Sequence, residues 1–293
     1  MAEDSSPDRA PTEPATDASP EGAVRAGEPV IEVRDLVVRY DEQVVLNGIS
    51  FDVHAGEVMT IIGGSGSGKS TVLKCILGIL KPVSGSVRLL GVDMIHATER
   101  EKEAVYREIG MVYQSGALFG SMTVWDNVAL PLQQHSELDP KIIDISVRMK
   151  LGQVRLSGFE KRLPRQLSGG QVKRVALARA IAMDPTVLFC DEPSAGLDPR
   201  IGRGIDDLIR SLNVAFNMAV VVVTHEMESV KIIADRIIML APKPGGARVV
   251  FEGTYEELAC CSEDEVQDFV NRAPLEEPRS EATEVLKQLV GED

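Results

Sequence analysis

Two stretches near the front of the chain, IEVRDLVVRY (31–40) and VVLNGISFDV (44–53), alternate apolar and polar positions. That is the pattern of antiparallel strands with one face buried and the other wet. Four later runs are apolar without interruption: VMTII (58–62), TVLFC (186–190), MAVVVV (218–223) and RIIML (236–240). Strands covered on both faces have this composition, which predicts a mostly parallel sheet with helices on each side. The stretch from about 115 to 183 reads as helical. Thr123 with Asp126 marks one helix start, and Asp139 before Pro140 places a cap residue ahead of a proline at the first helical position. Ile142, Ile145 and Met149 then recur at helical spacing. Near the end, Thr254 with Glu257 and Ser262 with Glu265 fit the capping box, so two short helices are expected there. Val285, Leu286, Leu289 and Val290 could add a further amphipathic turn or two. There is no internal repeat of solenoid or propeller type.

Residues 1 to 28 are rich in Pro, Ala, Ser, Thr and acids, and have almost nothing to bury against the entropy of ordering. They are expected to be a disordered acidic tail. Charge sharpens this division. The formal net charge is −14, of which residues 1–30 carry −5 and residues 262–293 carry −7, so the part between is nearly neutral. A near-neutral body offers no basic stripe for nucleic acid, and nucleic-acid binding is not expected. The expected organisation is a tail over 1–28, a domain over 29–261 and an acidic extension with short helices over 262–293. At 293 residues this is one large domain with appendages.

No apolar run approaches the eighteen or more residues of a membrane span. The acidic start resembles neither a secretory signal nor a transit peptide, which predicts a cytoplasmic protein. Cys75, Cys190, Cys260 and Cys261 show no metal-ligand spacing and read as reduced thiols.

Candidate chemistry begins after VMTII. Gly63, Gly64, Ser65, Gly66, Ser67, Gly68, Lys69, Ser70 and Thr71 fill the pattern G-x-x-x-x-G-K-[ST], between a buried strand and an apolar helix. Glycines let the backbone curl so that successive N–H groups face phosphate oxygens, reinforced by the helix dipole. Lys69 is placed to reach the β and γ phosphates of ATP, and the Ser70 hydroxyl to ligate Mg²⁺. The strand TVLFC ends in Asp191 and Glu192. A carboxylate there is placed to hold Mg²⁺ through water, and the next one to polarise an attacking water. A third signal is Leu167-Ser168-Gly169-Gly170-Gln171 opening the helix VKRVALARAIAM.

With the phosphate loop, that last segment resembles the signature of the ABC ATPase family, and the resemblance covers about residues 31 to 260. It implies an α/β P-loop fold of ABC type: a mostly parallel sheet core, an antiparallel β subdomain and an inserted helical subdomain. It further implies that Tyr40 stacks on adenine and that Gln114 touches Mg²⁺ and senses the partner. Ser194-Ala195-Gly196-Leu197-Asp198 corresponds to the D-loop, and His225, after MAVVVVT, to the switch histidine that contacts the γ-phosphate. In the family the signature of one subunit closes over the phosphate loop of another. The resemblance therefore implies a homodimer in which Ser168, Gly169, Gly170 and Gln171 meet the partner's nucleotide. His54, His96 and His135 match no motif, and Trp125 reads as packing.

A finer resemblance lies in Gln114-Ser115-Gly116-Ala117-Leu118-Phe119 and the following SMTVWDNVALPLQQHSELD, with MKL (149–151) and DEPSAGLDP. These are similar to the ATPases of the Mla and Mce lipid-transport systems. That implies ATP-driven phospholipid transport from the cytoplasmic face of the plasma membrane, an integral membrane permease docked through Ser115 to Val124, and an MCE-domain lipid-binding protein as a further partner. The C-terminal tails that clasp the other subunit in some relatives differ here. Competing readings are a non-transport ABC ATPase of the cell-division or iron-sulfur assembly type, and an importer of small polar solutes.

Overall fold

A computed structural model describes residues 29–271. The disordered tail expected over 1–28 and the apolar positions Val285 to Val290 lie outside the described residues.

The two alternating stretches form β1 (Pro29–Tyr40) and β2 (Gln43–His54), an antiparallel pair. The first continuous run is β3 (Val58–Ile62), followed by α1 (Lys69–Ile76), β4 (Ser84–Leu89), β5 (Val92–Asp93), α2 (Glu99–Arg107) and β6 (Ile109–Val112). The helical stretch holds α3 (Val124–His135), α4 (Pro140–Gln153) and α5 (Gly169–Ala180). Then β7 (Val187–Asp191), α6 (Pro199–Phe216), β8 (Ala219–Val223), α7 (Met227–Ile233) and β9 (Arg236–Ala241) alternate. The described chain closes with β10 (Arg248–Gly253), α8 (Tyr255–Cys260) and α9 (Asp264–Asn271).

Two sheets result. One is antiparallel, in the order β2-β1-β4-β5; the other runs β10-β9-β3-β8-β7-β6, parallel except where β10 pairs with β9. The four apolar runs are the four central strands of the second sheet, and their composition follows from double coverage. In β8, Val221 and Val223 pack with the antiparallel sheet and α1, while Val220 and Val222 pack with the helical layer. Each buried valine contributes roughly 1.5–3 kcal/mol, so neither face tolerates a polar residue. β6 was not expected. It is four residues long and packs close to α5, where a Cβ on Gly110 would collide with the Ala180 carbonyl.

The caps at Thr123, Asp139 and Thr254 hold their helix starts by side-chain bonds to backbone N–H groups. The fourth differs. α9 starts at Asp264 with Val266 N and Gln267 N both donating to the Glu263 carbonyl, and the Glu265 carboxylate pairs with Lys243 instead of Ser262. Val266 of this helix is buried with Leu258, Met239 and Ile62. Packing thus continues past residue 261, where acidity alone suggested the domain should end.

The stripe Ile142, Ile145 and Met149 lies on α4 but faces outward, 47–60% exposed; the inward face is Ile143, Val147 and Leu151. One helix carries two apolar stripes, and only packing against α3 and α5 selects between them. Trp125 packs on the helical core and donates Nε1–H to Asp144. Among the described residues no helix is long and apolar enough to cross a membrane.

Candidate functional site at the carboxyl ends of the parallel strands

The loop Gly63–Gly68 leaves β3 and enters α1. Its glycines serve two different needs. Gly63 and Gly68 are wedged: a Cβ on Gly63 would collide with the Leu240 carbonyl, and one on Gly68 (φ 90°) with the Leu46 side chain. Gly64 and Gly66 have open space above their Cα atoms, so the loop is tight beneath and clear above. Ser67 Oγ is buried with no hydrogen-bond partner. Lys69 Nζ donates to the carbonyls of Gly63 (2.7 Å) and Gly64 (2.9 Å). Burial lowers the pKa of Lys69 while the charges of Glu192 and Asp191 raise it. An open concavity at a helix N-terminus, an unpartnered hydroxyl and a cation on its rim fit a polyphosphate. Ser65 and Ser70 are exposed and Thr71 is half-buried. Leu46 against Gly68 also ties the antiparallel hairpin to this loop, and Tyr40, at the end of β1, is 45% exposed. An aromatic ring at that exposure is one on which a planar base could stack.

Asp191 ends β7, half-buried, and its pKa is raised by desolvation and then by the charge of Glu192, with Lys69, Lys173 and Lys74 opposing. A carboxylate made costly in this way is what a divalent cation relieves. Ser70, Gln114 and Asp191 are hard oxygen donors that would hold Mg²⁺, which supplies charge neutralisation at the phosphates. Gln114 lies two residues beyond β6, exposed.

Glu192 has φ 49°, in the left-handed region that a non-glycine residue seldom occupies. Its amide donates to Val223 O at 2.9 Å. Its carboxylate lies 2.6 Å from His225 Nδ1 and accepts a longer bond from Thr224 Oγ1 at 3.4 Å. A carboxylate only accepts, so Nδ1 carries the proton. The sequence prediction placed Glu192 and His225 separately, and the parallel pairing of β7 with β8 brings them into contact.

Ser168 is the N-cap of α5, accepting from Gln171 N, and the Gln171 side chain returns a bond to Ser168 N at 3.0 Å. The Gln171 amide is thus spent within its own helix end, whereas Ser168 and Gly169 are exposed. Gly169 and Gly170 admit the D-loop region, because a Cβ would crowd Leu197 at the first and collide with Ile201 at the second. Among the described residues no hydrogen bond joins Ser168–Gln171 to Gly63–Thr71. One chain therefore presents two separate anion-binding termini.

Several residues escaped sequence reasoning. Lys173 is 6% exposed, and its ammonium donates to the backbone carbonyls of Gln114 and, at 3.1 Å, of Glu192. Arg179 donates to the carbonyls of Ala117 (2.8 Å) and Gly116 (3.0 Å). Asn127, fully buried, accepts from Phe119 N at 2.8 Å and donates to the carbonyls of Phe119, Met122 and Thr123. These three side chains hold the segment after Gln114. Of its apolar pair, Leu118 packs on the helical core while Phe119 is 51% exposed beside a groove of about 430 Å³, lined by Tyr106, Met111, Tyr113, Leu130 and Met183. His135 also borders the groove, whereas His54 and His96 pair locally with Glu57 and Asp93. Behind the D-loop, Ser194, Ser229 and Asp206 form a buried chain. The spacing of Gly170, Lys173 and Leu177, all buried on one face of α5, was the available signal for Lys173.

A phosphate loop opening α1 and a second anion-binding terminus opening α5, the latter carried by an inserted helical layer, define the ABC type of P-loop ATPase. The family model described as "ABC transporter" matches residues 46–195. The chain is 39% identical over 241 residues to the intermembrane phospholipid transport system ATP-binding protein MlaF of Haemophilus influenzae, covering 82% of this chain and 90% of that protein. It is 38% identical over 246 residues to the methionine import ATP-binding protein MetN of Clostridium tetani, covering 84% of this chain and 76% of that one. Among solved structures, a dimeric ATP-binding cassette in a post-hydrolysis state, bound to ADP and Pi, superposes with a TM-score of 0.68 at 31% identity, covering 76% of this chain and 98% of that chain. The chain belongs to the ABC transporter family. It is the ATP-binding subunit of such a transporter, an ATPase whose ligands are ATP and Mg²⁺.

Proposed function

We propose that this subunit powers phospholipid movement in a cell envelope, docked beneath an integral membrane permease at the cytoplasmic face and working as a homodimer. The observation that carries the docking is the groove beside Phe119, contiguous with a segment whose backbone is tethered to α3 and α5. An exposed aromatic beside a largely apolar groove suits a helix of a partner. The lipid reading is supported by the similarity to MlaF over most of its length and by the segment Ser115–Val124. An MCE-domain protein would be the carrier on the far side.

In this reading Lys69 and the amides of Gly63–Thr71 hold the phosphates, Tyr40 stacks on adenine, and Ser70, Gln114 and Asp191 hold Mg²⁺. Glu192 orients and polarises the water, oriented in turn by His225. Ser168, Gly169, Gly170 and Gln171 close over the phosphates bound by the second copy, where the exposed Ser168 hydroxyl and Gly169 amide face developing charge. The similarity to MetN favours a second reading, import of a small polar solute.

Phe119→Asp tests the docking. The expected result is a folded, ATP-binding subunit that no longer co-purifies with its permease and transfers no phospholipid between vesicles. An unchanged complex with unchanged lipid transfer, or an unfolded isolated subunit, overturns it.

A further inference from the structure

Lys173 stands out as an ammonium that the fold buries without an ion-pair partner. It projects from the inward face of α5, 6% exposed, and among the described residues no carboxylate oxygen lies within 4.0 Å of its Nζ. Burial lowers its pKa, while the more distant charges of Glu192, Glu226 and Asp191 raise it. A buried cation without a contacting carboxylate is a costly feature, and an apolar chain of similar length would fill the same space more cheaply. What the ammonium gains is two carbonyl acceptors. One is Gln114 O, two residues past β6; the other is Glu192 O, one residue past the adjacent β7. It joins the two loops that leave neighbouring parallel strands.

The second bond falls on a strained residue. Glu192 sits at φ 49°, and such a conformation persists only where its surroundings over-determine it. Its N–H is held by Val223 O and its carbonyl by Lys173 Nζ at 3.1 Å and, in a longer turn bond, by Ala195 N at 3.3 Å, so the residue is clamped on both sides of Cα. With the backbone fixed in this way, the side chain leaves toward His225 Nδ1, 2.6 Å from Oε1. Without the ammonium the carbonyl would keep only the longer bond from Ala195 N, a weaker hold on the strained residue and on the direction its carboxylate takes.

We propose that Lys173 is a positioning residue: by gripping the carbonyls of Gln114 and Glu192 it sets the orientation of the Glu192 carboxylate and makes that orientation depend on where the Gln114 loop stands. The proposal rests on the reading of Glu192 as the residue that polarises water. It gives the segment after Gln114 a direct mechanical link to the chemical step, within one chain and through one side chain.

The test is a double-mutant cycle in the full-length protein, reading kcat, the KM for ATP and nucleotide affinity. Lys173→Met keeps the length and removes the donors. It is expected to lower kcat about tenfold to a hundredfold with KM within about twofold. Added to Glu192→Gln it is expected to cost nothing further, because the group it positions is already gone. Lys173→Gln, whose amide can donate to both carbonyls, is expected to recover part of the rate. Wild-type kcat in Lys173→Met, an equal loss in both backgrounds, or a parallel loss of ATP affinity overturns the proposal. Near-normal turnover in Glu192→Gln alone overturns the reading of Glu192 and this proposal with it, whereas slow Glu192→Gln with normal Lys173→Met overturns this proposal alone. If Lys173→Met does not fold, Lys173→Gln carries the same comparison: a lowered kcat at constant KM that vanishes in the Glu192→Gln background supports the link, and an additive loss removes it.

Discussion

The phosphate loop and the segment after Gln114 lie at the ends of strands in the same sheet, yet they are held by different means. The loop is fixed chiefly by close packing, Gly63 against the Leu240 carbonyl and Gly68 against the Leu46 side chain, with its own Lys69 adding bonds to the Gly63 and Gly64 carbonyls. The segment from Gln114 to Thr123 is held by side chains reaching backbone carbonyls, from Lys173, Arg179 and Asn127. Close-packed backbone has one arrangement, because overlap rises steeply with displacement. Tethers of the second kind are discrete bonds of about 1–3 kcal/mol each, which can be traded for other partners. In the proposed function, binding rests on the stiffer construction and transmission on the one that can have two states.

The largest expected effect breaks the chemistry while leaving both constructions intact. Glu192→Gln should retain ATP binding and slow hydrolysis by about two to four orders of magnitude, the range for losing a general base, measured as phosphate release by the purified protein. Next comes a pair that sets the two regions against each other. Gly63→Ala should cost about 3 kcal/mol of stability and abolish ATP binding, because its Cβ has nowhere to go. Asn127→Ala should cost about 2 kcal/mol through lost bonds to three carbonyls, with ATP affinity within about twofold of normal and permease-stimulated hydrolysis lost. Denaturant unfolding and nucleotide titration read both. Equal effects of the two variants on ATP affinity would erase the distinction between the regions.

The last effect appears only as a pH dependence and concerns the buried chain behind the D-loop. Burial pushes the Asp206 carboxyl up to about 6 from an ordinary value near 3.8; the bonds from Ser229 and Ser194 pull it down, and the charges of Glu226 and Asp207 push it further up. A carboxyl raised in the folded state contributes stability that is fully present below about pH 4 and lost as pH rises through about 6. Asp206→Asn should therefore gain on the wild type by up to about 3 kcal/mol as pH rises across that window. The difference between the two unfolding curves, taken from pH 4 to 7, measures it. A difference independent of pH would mean that Asp206 titrates normally.

Much of the molecule was readable because local rules govern it. The central strands announced themselves by runs of apolar residues, since both faces of the sheet are covered, and the helix starts at Thr123, Asp139 and Thr254 by residues that bond within three positions of themselves. The phosphate loop was legible for the same reason: Lys69 bonds the carbonyls of Gly63 and Gly64, five and six residues back, although what Gly63 and Gly68 pack against was not. The start of α9 went astray because Glu265 found Lys243, twenty-two residues away, a more favourable partner than the nearby cap.

What the sequence by itself determined is where most of the helices and strands form and the order in which the chemical groups occur. The tertiary structure alone decided which of two apolar stripes on α4 faces inward, that Phe119 is exposed while Leu118 packs on the helical core, that the Lys173 ammonium meets the carbonyls of Gln114 and Glu192, and that Glu192 is strained. Each depends on contacts between residues far apart in the chain, such as Lys173 with Gln114 or Glu192 with His225. Such contacts leave no periodicity behind, because a single side chain reaching a single carbonyl constrains one position and nothing around it.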